Sequence, residues 1–429
     1  MNALSPPRRV PPIWLQQAAT DFLARYDGLR ARLPGDAAIR EAGAAAFRRH
    51  GLPGVRDEAW HYTSVRPLAE TRFAEPLTPV AECEALMRRL PVLDAPRLVF
   101  VDGRFRDDLS VVPPVGAVRV GAPAYGALAQ PDRDRMVALN TMLAEDGATI
   151  DIPAGADGGL LMLASLGTGS SDRAVAFHPR HAIRLGAGAS LTLFDVSVGE
   201  GTYLHNPVFE IALGDGAKLS HLRLQDESRA AFHVSTLYAD VATGATYDGF
   251  ALTLGARLAR MEVHARLTGS GASAHLNAAQ LLGGTQHADF TTVVTHVAPG
   301  CASRQTVKNV LAGHSRGVFQ GKIEVARGAQ KTDGYQMNQA LLLSPDAEID
   351  SKPELEIFAD DVKCSHGATV GELDAEQLFY LRSRGIPEAE ARAILVRAFL
   401  AEALELVADA RARAALETAI AVRWEGLES

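Results

Sequence analysis

Cys364 and His366 form the strongest candidate for metal chemistry in this sequence of 429 residues. They lie two residues apart in Lys363–Gly371 (KCSHGATVG), among small Ser, Gly and Ala residues. Alternate residues of a β-strand point to the same face, so on a strand both side chains project together. A thiolate and an imidazole suit zinc, copper or iron–sulfur chemistry. The alternative interpretation is a small buried Cys beside a hydrogen-bonded strand His.

The other cysteines and histidines give weaker indications of metal binding. The chain has three Cys residues and no Cys-x-x-Cys pair, whereas a conventional iron–sulfur cluster takes about four thiolate ligands. Cys83 and Cys301 are therefore predicted to be buried structural thiols. His178 and His181 (HPRH) have no obvious third ligand nearby and are expected to be solvated turn residues.

No catalytic residue is predicted. The string GHSRG (Gly313–Gly317) matches a hydrolase nucleophile elbow, but that motif requires a strand-to-helix turn and no helical pattern follows here. A remote alternative is a β-helix enzyme acting on carbohydrate or acyl groups, which needs charged catalytic groups clustered on one face. The repeat instead offers scattered acidic residues: Glu210, Asp226, Glu262, Asp289 and Glu324.

The elements that position these residues follow a regular repeat. Short Gly-containing motifs recur from GAGA (Gly186–Ala189) to ARGA (Ala326–Ala329), and their last Gly stands at positions 188, 216, 244, 271, 300 and 328, a spacing of 27 to 29 residues. The segments between them alternate apolar and polar residues, as in Ser190–Val198 (SLTLFDVSV), which is typical of β-strands. A fixed period without helical crossovers predicts a parallel β-helix or solenoid-like core, with a β-sandwich as the structural alternative.

Helical patterns flank this repeat. Residues 18–49 are Ala- and Arg-rich, with Gly51 as a plausible stop. After His366, Asp374 and Gln377 have capping-box spacing, Gly385 is a predicted helix stop, and Pro387 fits a first helical position. The predicted apolar stripes of the following helices are Ile394, Leu395, Ala398, Phe399 and Leu404, then Leu416, Ile420 and Trp424.

We divide the chain into four parts on these patterns. They are an N-terminal helical region (1–75), a mixed transition region (76–145), a β-helix core (146–370) and a C-terminal helical domain (371–429). A hydrophobic content of 47% with 22% charged residues is ordinary for a globular protein, and a net charge of −8 argues against a general nucleic-acid or acidic-membrane binder. The sparse cysteines, the lack of a bilayer-length apolar run and the lack of an apolar signal core predict a cytoplasmic protein with no membrane partner.

Most of the chain resembles the SufD members of the SufB/SufD family of the SUF iron–sulfur cluster assembly system, and the resemblance is strongest from about Val307 to Ala401. The resemblance runs through Gln320–Cys364 and continues at Cys364, His366, Gly367, Ala368, Thr369, Asp374, Glu376, Gln377, Phe379, Tyr380, Leu381, Arg382, Arg384 and Gly385. Near the N-terminus, Gly51–Thr63 (GLPGVRDEAWHYT) resembles a second signature of the family, with His61 where the family usually has Lys or Arg. SufB members share a C-x-H-x-A-T string but typically have an acidic residue where this chain has Gly367.

This resemblance implies a mainly β fold with helical flanks: a right-handed parallel β-helix core with N-terminal and C-terminal helical domains. It implies a non-catalytic scaffold subunit that works with SufB and the ATPase SufC, coupled to that ATPase. No iron–sulfur cluster would be bound stably by this chain alone, and a transient one would form at the interface with SufB. His366 is then the first expected ligand and Cys364 the second. The C-terminal helical region would dock SufC, and the expected partner-binding residues are Arg382, Arg384, Gly385, Ile386 and Pro387.

Two alternatives stay open within this resemblance. The chain could be a SufB-type subunit that carries the main assembly thiolates itself. A homodimer in the absence of SufB would also satisfy the need for a partner.

Overall fold

The structure is a computed structural model and describes residues 12–76, 83–170 and 172–428. Within these ranges, helices lie toward both ends of the chain and strands fill its middle. The α-helices are α1 (Ile13–Leu29), α2 (Ala37–His50), α3 (Arg66–Ala69), α4 (Glu84–Met87), α5 (Arg135–Leu143), α6 (Ala375–Ser383), α7 (Glu388–Leu404) and α8 (Ala410–Glu428). Two short 3-10 helices span Glu58–Trp60 and Asp107–Leu109.

The strands follow one another from Arg97 to Gly371. They are β1 (Arg97–Val101), β2 (Arg104–Phe105), β3 (Ala117–Arg119), β4 (Thr149–Ile152), β5 (Asp157–Thr168), β6 (Val175–Phe177), β7 (Arg180–Leu185), β8 (Ser190–Glu200), β9 (Tyr203–His205), β10 (Val208–Leu213), β11 (Lys218–Asp226), β12 (Phe232–Val241), β13 (Thr246–Thr253), β14 (Leu258–Leu267), β15 (Ser273–Leu282), β16 (His287–His296), β17 (Ala302–Leu311), β18 (Arg316–Val325), β19 (Thr332–Leu342), β20 (Glu348–Ile357) and β21 (Val362–Gly371).

These strands form two long sheets that face each other as a β-solenoid of about eight turns. The first sheet has the order β2-β1-β5-β8-β11-β13-β15-β17-β19-β21, and the second has the order β20-β18-β16-β14-β12-β10-β7-β4-β3. Pairing along both sheets is parallel except for the short antiparallel strands β2 and β3 at the first end. The predicted β-solenoid core with helical flanks is confirmed.

The spacing of the Gly motifs in the sequence matches the register between paired strands. Lys218 pairs with Thr246, and Thr246 with Ser273, so each turn of the solenoid advances by one sequence repeat. The repeat glycines at 188, 216, 244, 271 and 300 all have φ between 63° and 70°, a conformation that is costly for other residues. Gly328 is the exception, because Lys331 takes the left-handed conformation instead, with φ 61°. The register step lengthens there, and Ala302 pairs with Asp333.

The solenoid has an apolar interior and is covered by helices on its outer faces. Inward-pointing residues such as Leu193, Ile211 and Leu219 form the inner core. Helices α1, α2 and α5 pack on the outer face of the second sheet, where Phe47 and Met136 belong to the same buried cluster as Phe232. These aromatic and aliphatic contacts attach the N-terminal region to the strands.

Helices α7 and α8 cover the outer face of the first sheet, next to β15 and β17. The predicted stripe of α8 is buried as expected: Leu416, Ile420 and Trp424. The predicted stripe of α7 was largely wrong. Its buried residues are Ala391, Ala393, Val396, Leu400, Ala403 and Leu404, whereas Ile394 and Leu395 turn toward α6. The helix is apolar on more than one side, so periodicity did not identify the face that meets the sheet.

The signals at the ends of the C-terminal helices were nearly all correct. The Asp374 side chain accepts a hydrogen bond from the Gln377 N–H, and Gly385 follows α6 with φ 87°. Pro387 is the N-cap of α7 rather than its first residue. In the described part of the chain, every helix is too short or too polar to cross a bilayer.

Candidate functional site

Cys364 and His366 lie on β21, the last strand of the first sheet. β21 pairs with β19 from Val362 to Gly371, and its other edge has no strand partner among the described residues. β20 ends the second sheet in the same way beside β18. Both sheets therefore stop at this end of the solenoid with free backbone N–H and C=O groups, which are a ready template for pairing with another chain.

The two candidate ligands point to the same face of β21 but differ in exposure. Cys364 is half-buried, and its Sγ lies 3.4 Å from the position that a Cβ would take at Gly334 on β19. Burial raises the pKa of the Cys364 thiol, so a metal must displace its proton to bind. His366 is exposed at the open end. The strand spacing thus gives one sheltered sulfur and one accessible imidazole.

The interior beneath His366 is polar. His366 is in register with Gln336 of β19, and Gln336 is in register with Gln305 of β17. Both glutamines are completely buried, and the Gln336 amide nitrogen and oxygen have no hydrogen-bond partner among the described residues. The inner face next to His366 therefore carries hydrogen-bonding groups with unused capacity.

The pair does not make a complete metal site within the chain. No described group of three His, Cys, Asp or Glu residues with converging ligand atoms includes Cys364 or His366. Cys83 and Cys301 are buried residues, 3% and 1% exposed, and the Cys301 thiol donates to the Gly269 carbonyl at 3.3 Å. Burial raises the pKa of both thiols. Two ligands are fewer than zinc or iron–sulfur centres take, so a metal bound by this pair would need additional ligands from outside the chain.

The predicted partner-binding residues lie together at the junction of α6 and α7. The guanidinium of Arg384 lies 5.0 Å from the centre of the Tyr380 ring, and Arg382 pairs with Glu388 at 3.2 Å. None of the residues of α6 is buried, and Phe379 and Tyr380 are 73% and 57% exposed. Large aromatic side chains left exposed beside arginines are typical of interaction surfaces. The surface position of these two aromatics was not predicted, although α6 lacks an apolar stripe.

The expectation of solvated histidines at 178 and 181 is wrong. The structure buries both rings at the entrance to β7. The Nδ1 of His181 accepts a hydrogen bond from the Ala148 N–H at 3.0 Å, and its ring packs between Phe100 and Phe209. Burial lowers the pKa of each imidazole to about 3, so both stay neutral. The HPRH sequence is typical of a turn, but the packing of the surrounding strands buries both histidines.

The structure also brings together side chains that the sequence analysis left apart. His205 and His233 face the Glu227 carboxylate with Nδ1–oxygen distances of 3.1 and 2.7 Å, and all three residues are buried. Burial opposes ionisation of Glu227, but the two histidines outweigh it and hold the pKa of that carboxyl below its usual range.

The acidic residues called scattered in the sequence are partly clustered in space. Glu262 and Asp289 share the fully buried Arg260, and Glu210 pairs with Arg180 at 2.6 Å. Glu262 also lies beside His264 and Asp134. The proximity of Glu262 and His264 could have been predicted from the sequence, because they have the same two-residue spacing as Cys364 and His366.

The chain is similar in sequence to known proteins, both in its repeat core and over most of its length. The family description "SUF system FeS cluster assembly, SufBD core domain" matches residues 167–399. The iron–sulfur cluster assembly protein SufD of Escherichia coli K12 is 34% identical over 375 residues, which cover 84% of this chain and 86% of the relative. A SufBD family protein of Synechocystis is 30% identical, covering 87% of both chains. Protein ABCI7, chloroplastic, of Arabidopsis thaliana is 30% identical, covering 86% of this chain and 82% of the relative.

Proposed function

Because this chain belongs to the SufBD family of SUF-system iron–sulfur cluster assembly proteins, we propose that it is a non-catalytic, SufD-type scaffold subunit. In this proposal the chain pairs with SufB, docks the ATPase SufC and works in the cytoplasm. It contributes His366 and Cys364 to a cluster that is assembled at the interface with SufB and then handed on.

One observation carries the proposal: an incomplete ligand pair stands on the terminal strand of an open solenoid. β21 offers a thiol and an imidazole at an edge where a second chain can add a strand. A partner bound there would bring its own ligands next to His366. A cluster shared by two chains with few ligands from each is held loosely, which suits assembly followed by transfer.

The open edges at β20 and β21 favour an end-to-end arrangement of two solenoids. A strand added to each sheet would satisfy the free backbone groups of both edges at once. SufB is the proposed partner, since a second copy of this chain would bring another Cys364 and His366 and no additional kind of ligand. The homodimer is the competing arrangement, and it is the one expected when SufB is absent.

A separate surface is proposed for SufC. The proposed contact residues lie at the turn between α6 and α7, and Phe379 and Tyr380 are exposed on α6. The contact residues are Arg382, Arg384, Gly385, Ile386 and Pro387. The turn is fixed by the left-handed conformation of Gly385 and by α7, which is anchored on the first sheet. A rigid, exposed turn beside aromatic side chains fits a docking site that transmits movement from an ATPase.

Co-expression with SufB and SufC tests the assignment. The expected result is a stable complex of the three chains that gains iron–sulfur absorption after anaerobic reconstitution, while the isolated chain stays colourless. Phe379→Asp should weaken capture of SufC and spare capture of SufB, with exposed Val422→Asp on α8 as the matched control. A chain that ignores both partners would overturn the proposal, and a stable cluster on the isolated chain would favour the SufB-type alternative.

A further inference from the structure

A second group of metal-ligand side chains lies on the outer face of the second sheet, away from the terminal strand. Glu262 and His264 are two residues apart on β14, and Asp134 is the N-cap residue of α5. One ligand atom from each residue lies within 4.8 Å of the others. β14 is separated from the open edge of its sheet by β16 and β18, so this group does not belong to the site at His366.

Each of the three side chains is held in place by a neighbour that leaves one ligand atom facing the group. The Asp134 Oδ1 accepts hydrogen bonds from the Met136 and Val137 N–H groups at 2.7 and 3.1 Å, while its Oδ2 receives only a 3.5 Å contact from the Thr236 hydroxyl. Such outer contacts are what orient the ligands of metal sites in proteins.

The same division of roles holds on β14. The Glu262 Oε2 accepts from Arg260 at 2.7 Å, and its Oε1 faces the His264 Nε2 at 2.9 Å. The His264 ring is stacked on Tyr238, with ring centres 4.7 Å apart and planes within 6°. The carboxylate and the imidazole are therefore fixed by Arg260 and Tyr238, and their other polar atoms point at each other.

Three carboxylates, of Glu262, Asp289 and Asp134, lie around one guanidinium, of Arg260, and one imidazole, of His264. Arg260 serves both Glu262 and Asp289, so one guanidinium faces two buried carboxylates. The Asp134 carboxylate is half-buried, and no Lys or Arg of the described residues pairs with it. A divalent ion bound between Asp134 and Glu262 would neutralise both carboxylates.

The group can be reached from solvent. It lines a cleft of about 1000 Å³ between the N-terminal region, the start of α5 and the second sheet. The His264 side chain is 25% exposed. Lys322 lines the same cleft but is engaged elsewhere, with its ammonium 2.8 Å from Glu324 and 2.9 Å from Glu356. An ion can enter, and space remains beside it for water or another small ligand.

We propose that Asp134, Glu262 and His264 bind one divalent first-row transition metal ion, with the remaining coordination position open to the cleft. Two carboxylates and one imidazole suit zinc, ferrous iron or manganese, and three protein ligands with an open position is a common zinc arrangement. The inference rests on this geometry and is independent of the proposed role in cluster assembly.

Calorimetric titration of the full chain with Zn²⁺ tests this site. The protein carries Cys364→Ser and His366→Ala and has no affinity tag, so that the terminal pair does not contribute. The parent is expected to bind one zinc ion per chain. Asp134→Asn and His264→Gln should each weaken binding at least ~10-fold. Asn also caps helices well, so Asp134→Asn keeps the start of α5.

Glu324→Gln is the matched control, because Glu324 lines the same cleft without belonging to the group. Its zinc affinity should equal that of the parent. Circular dichroism checks that each variant is folded. If His264→Gln does not fold, the zinc affinity of Asp134→Asn decides the test. The proposal is overturned if the parent shows no stoichiometric zinc binding, or if Asp134→Asn binds zinc as tightly as the parent.

Discussion

Replacement of Arg260 by Met should destabilise the solenoid by about 3 kcal/mol at pH 7. Arg260 is completely buried, pairs with Glu262 and Asp289, and lies 4.2 Å from the centre of the Trp60 ring. Removing one partner of a buried ion pair costs about 3–5 kcal/mol, because the other charge stays buried. The lower end applies here, since Asp289 keeps hydrogen bonds from the Thr63 and Thr291 hydroxyls.

The loss of stability should shrink as the pH falls. Burial opposes ionisation of Glu262, but Arg260 outweighs it and lowers the pKa of that carboxyl to about 2. In the parent, this interaction stabilises the fold above the unfolded pKa and is lost as pH falls toward 2. Without Arg260, the largest influence that offsets the burial of Glu262 is gone, so the pKa of that carboxyl should rise and the variant should lose less stability than the parent on protonation. The free energies of unfolding of parent and variant should therefore converge between pH 7 and pH 4.

Urea-induced unfolding followed by circular dichroism at pH 7 and pH 4 measures both effects. Arg266→Met is the matched control on the same strand, because the Arg266 side chain is 54% exposed and lies 4.0 Å from Asp240. It should change the free energy of unfolding by less than about 0.5 kcal/mol. An Arg260→Met protein within about 1 kcal/mol of the parent at pH 7, or a difference that grows toward pH 4, would refute the reasoning.

Two further substitutions test the packing of the repeat and of the C-terminal helices. Gly216→Ala should cost about 1 kcal/mol because φ is 68° there, whereas Gly328→Ala, equally open but without positive φ, should be neutral or slightly stabilising; equal urea midpoints would contradict this. Ile420→Ala should cost about 2–5 kcal/mol and speed proteolysis of α8, since Ile420 is 3% exposed against the sheet. Val422→Ala, 66% exposed, should leave the cleavage rate unchanged, and similar rates for both variants would argue against this packing.

The fold was largely predictable because its information is periodic. A residue in left-handed conformation recurs in each turn, and the strand register repeats the spacing of those glycines. Gly328 departs from this pattern, because Lys331 takes the left-handed conformation in its place. A turn lengthened by a few residues keeps its Gly motif in sequence, so spacing alone did not reveal the change.

The candidate sites differ in how far apart their residues lie in the sequence. Cys364 with His366, and Glu262 with His264, share a strand face because of two-residue spacing, which sequence can show. Asp134 is more than a hundred residues from Glu262 in sequence, and only packing of α5 on the second sheet brings them together. Likewise the burial of His181 depends on Phe100 and Phe209, which lie on separate strands.

If His366 supplies a ligand to a cluster shared with a partner, the cluster should depend on its imidazole. The most direct test is the iron and sulfide content of the complex with SufB and SufC after anaerobic reconstitution, compared between His366→Ala and His314→Ala. His314 is an equally suitable surface histidine, 68% exposed in the turn before β18. We predict an intact complex with both variants, and loss of most of the cluster with His366→Ala alone. A full complement of cluster in the His366→Ala complex would contradict the ligand assignment.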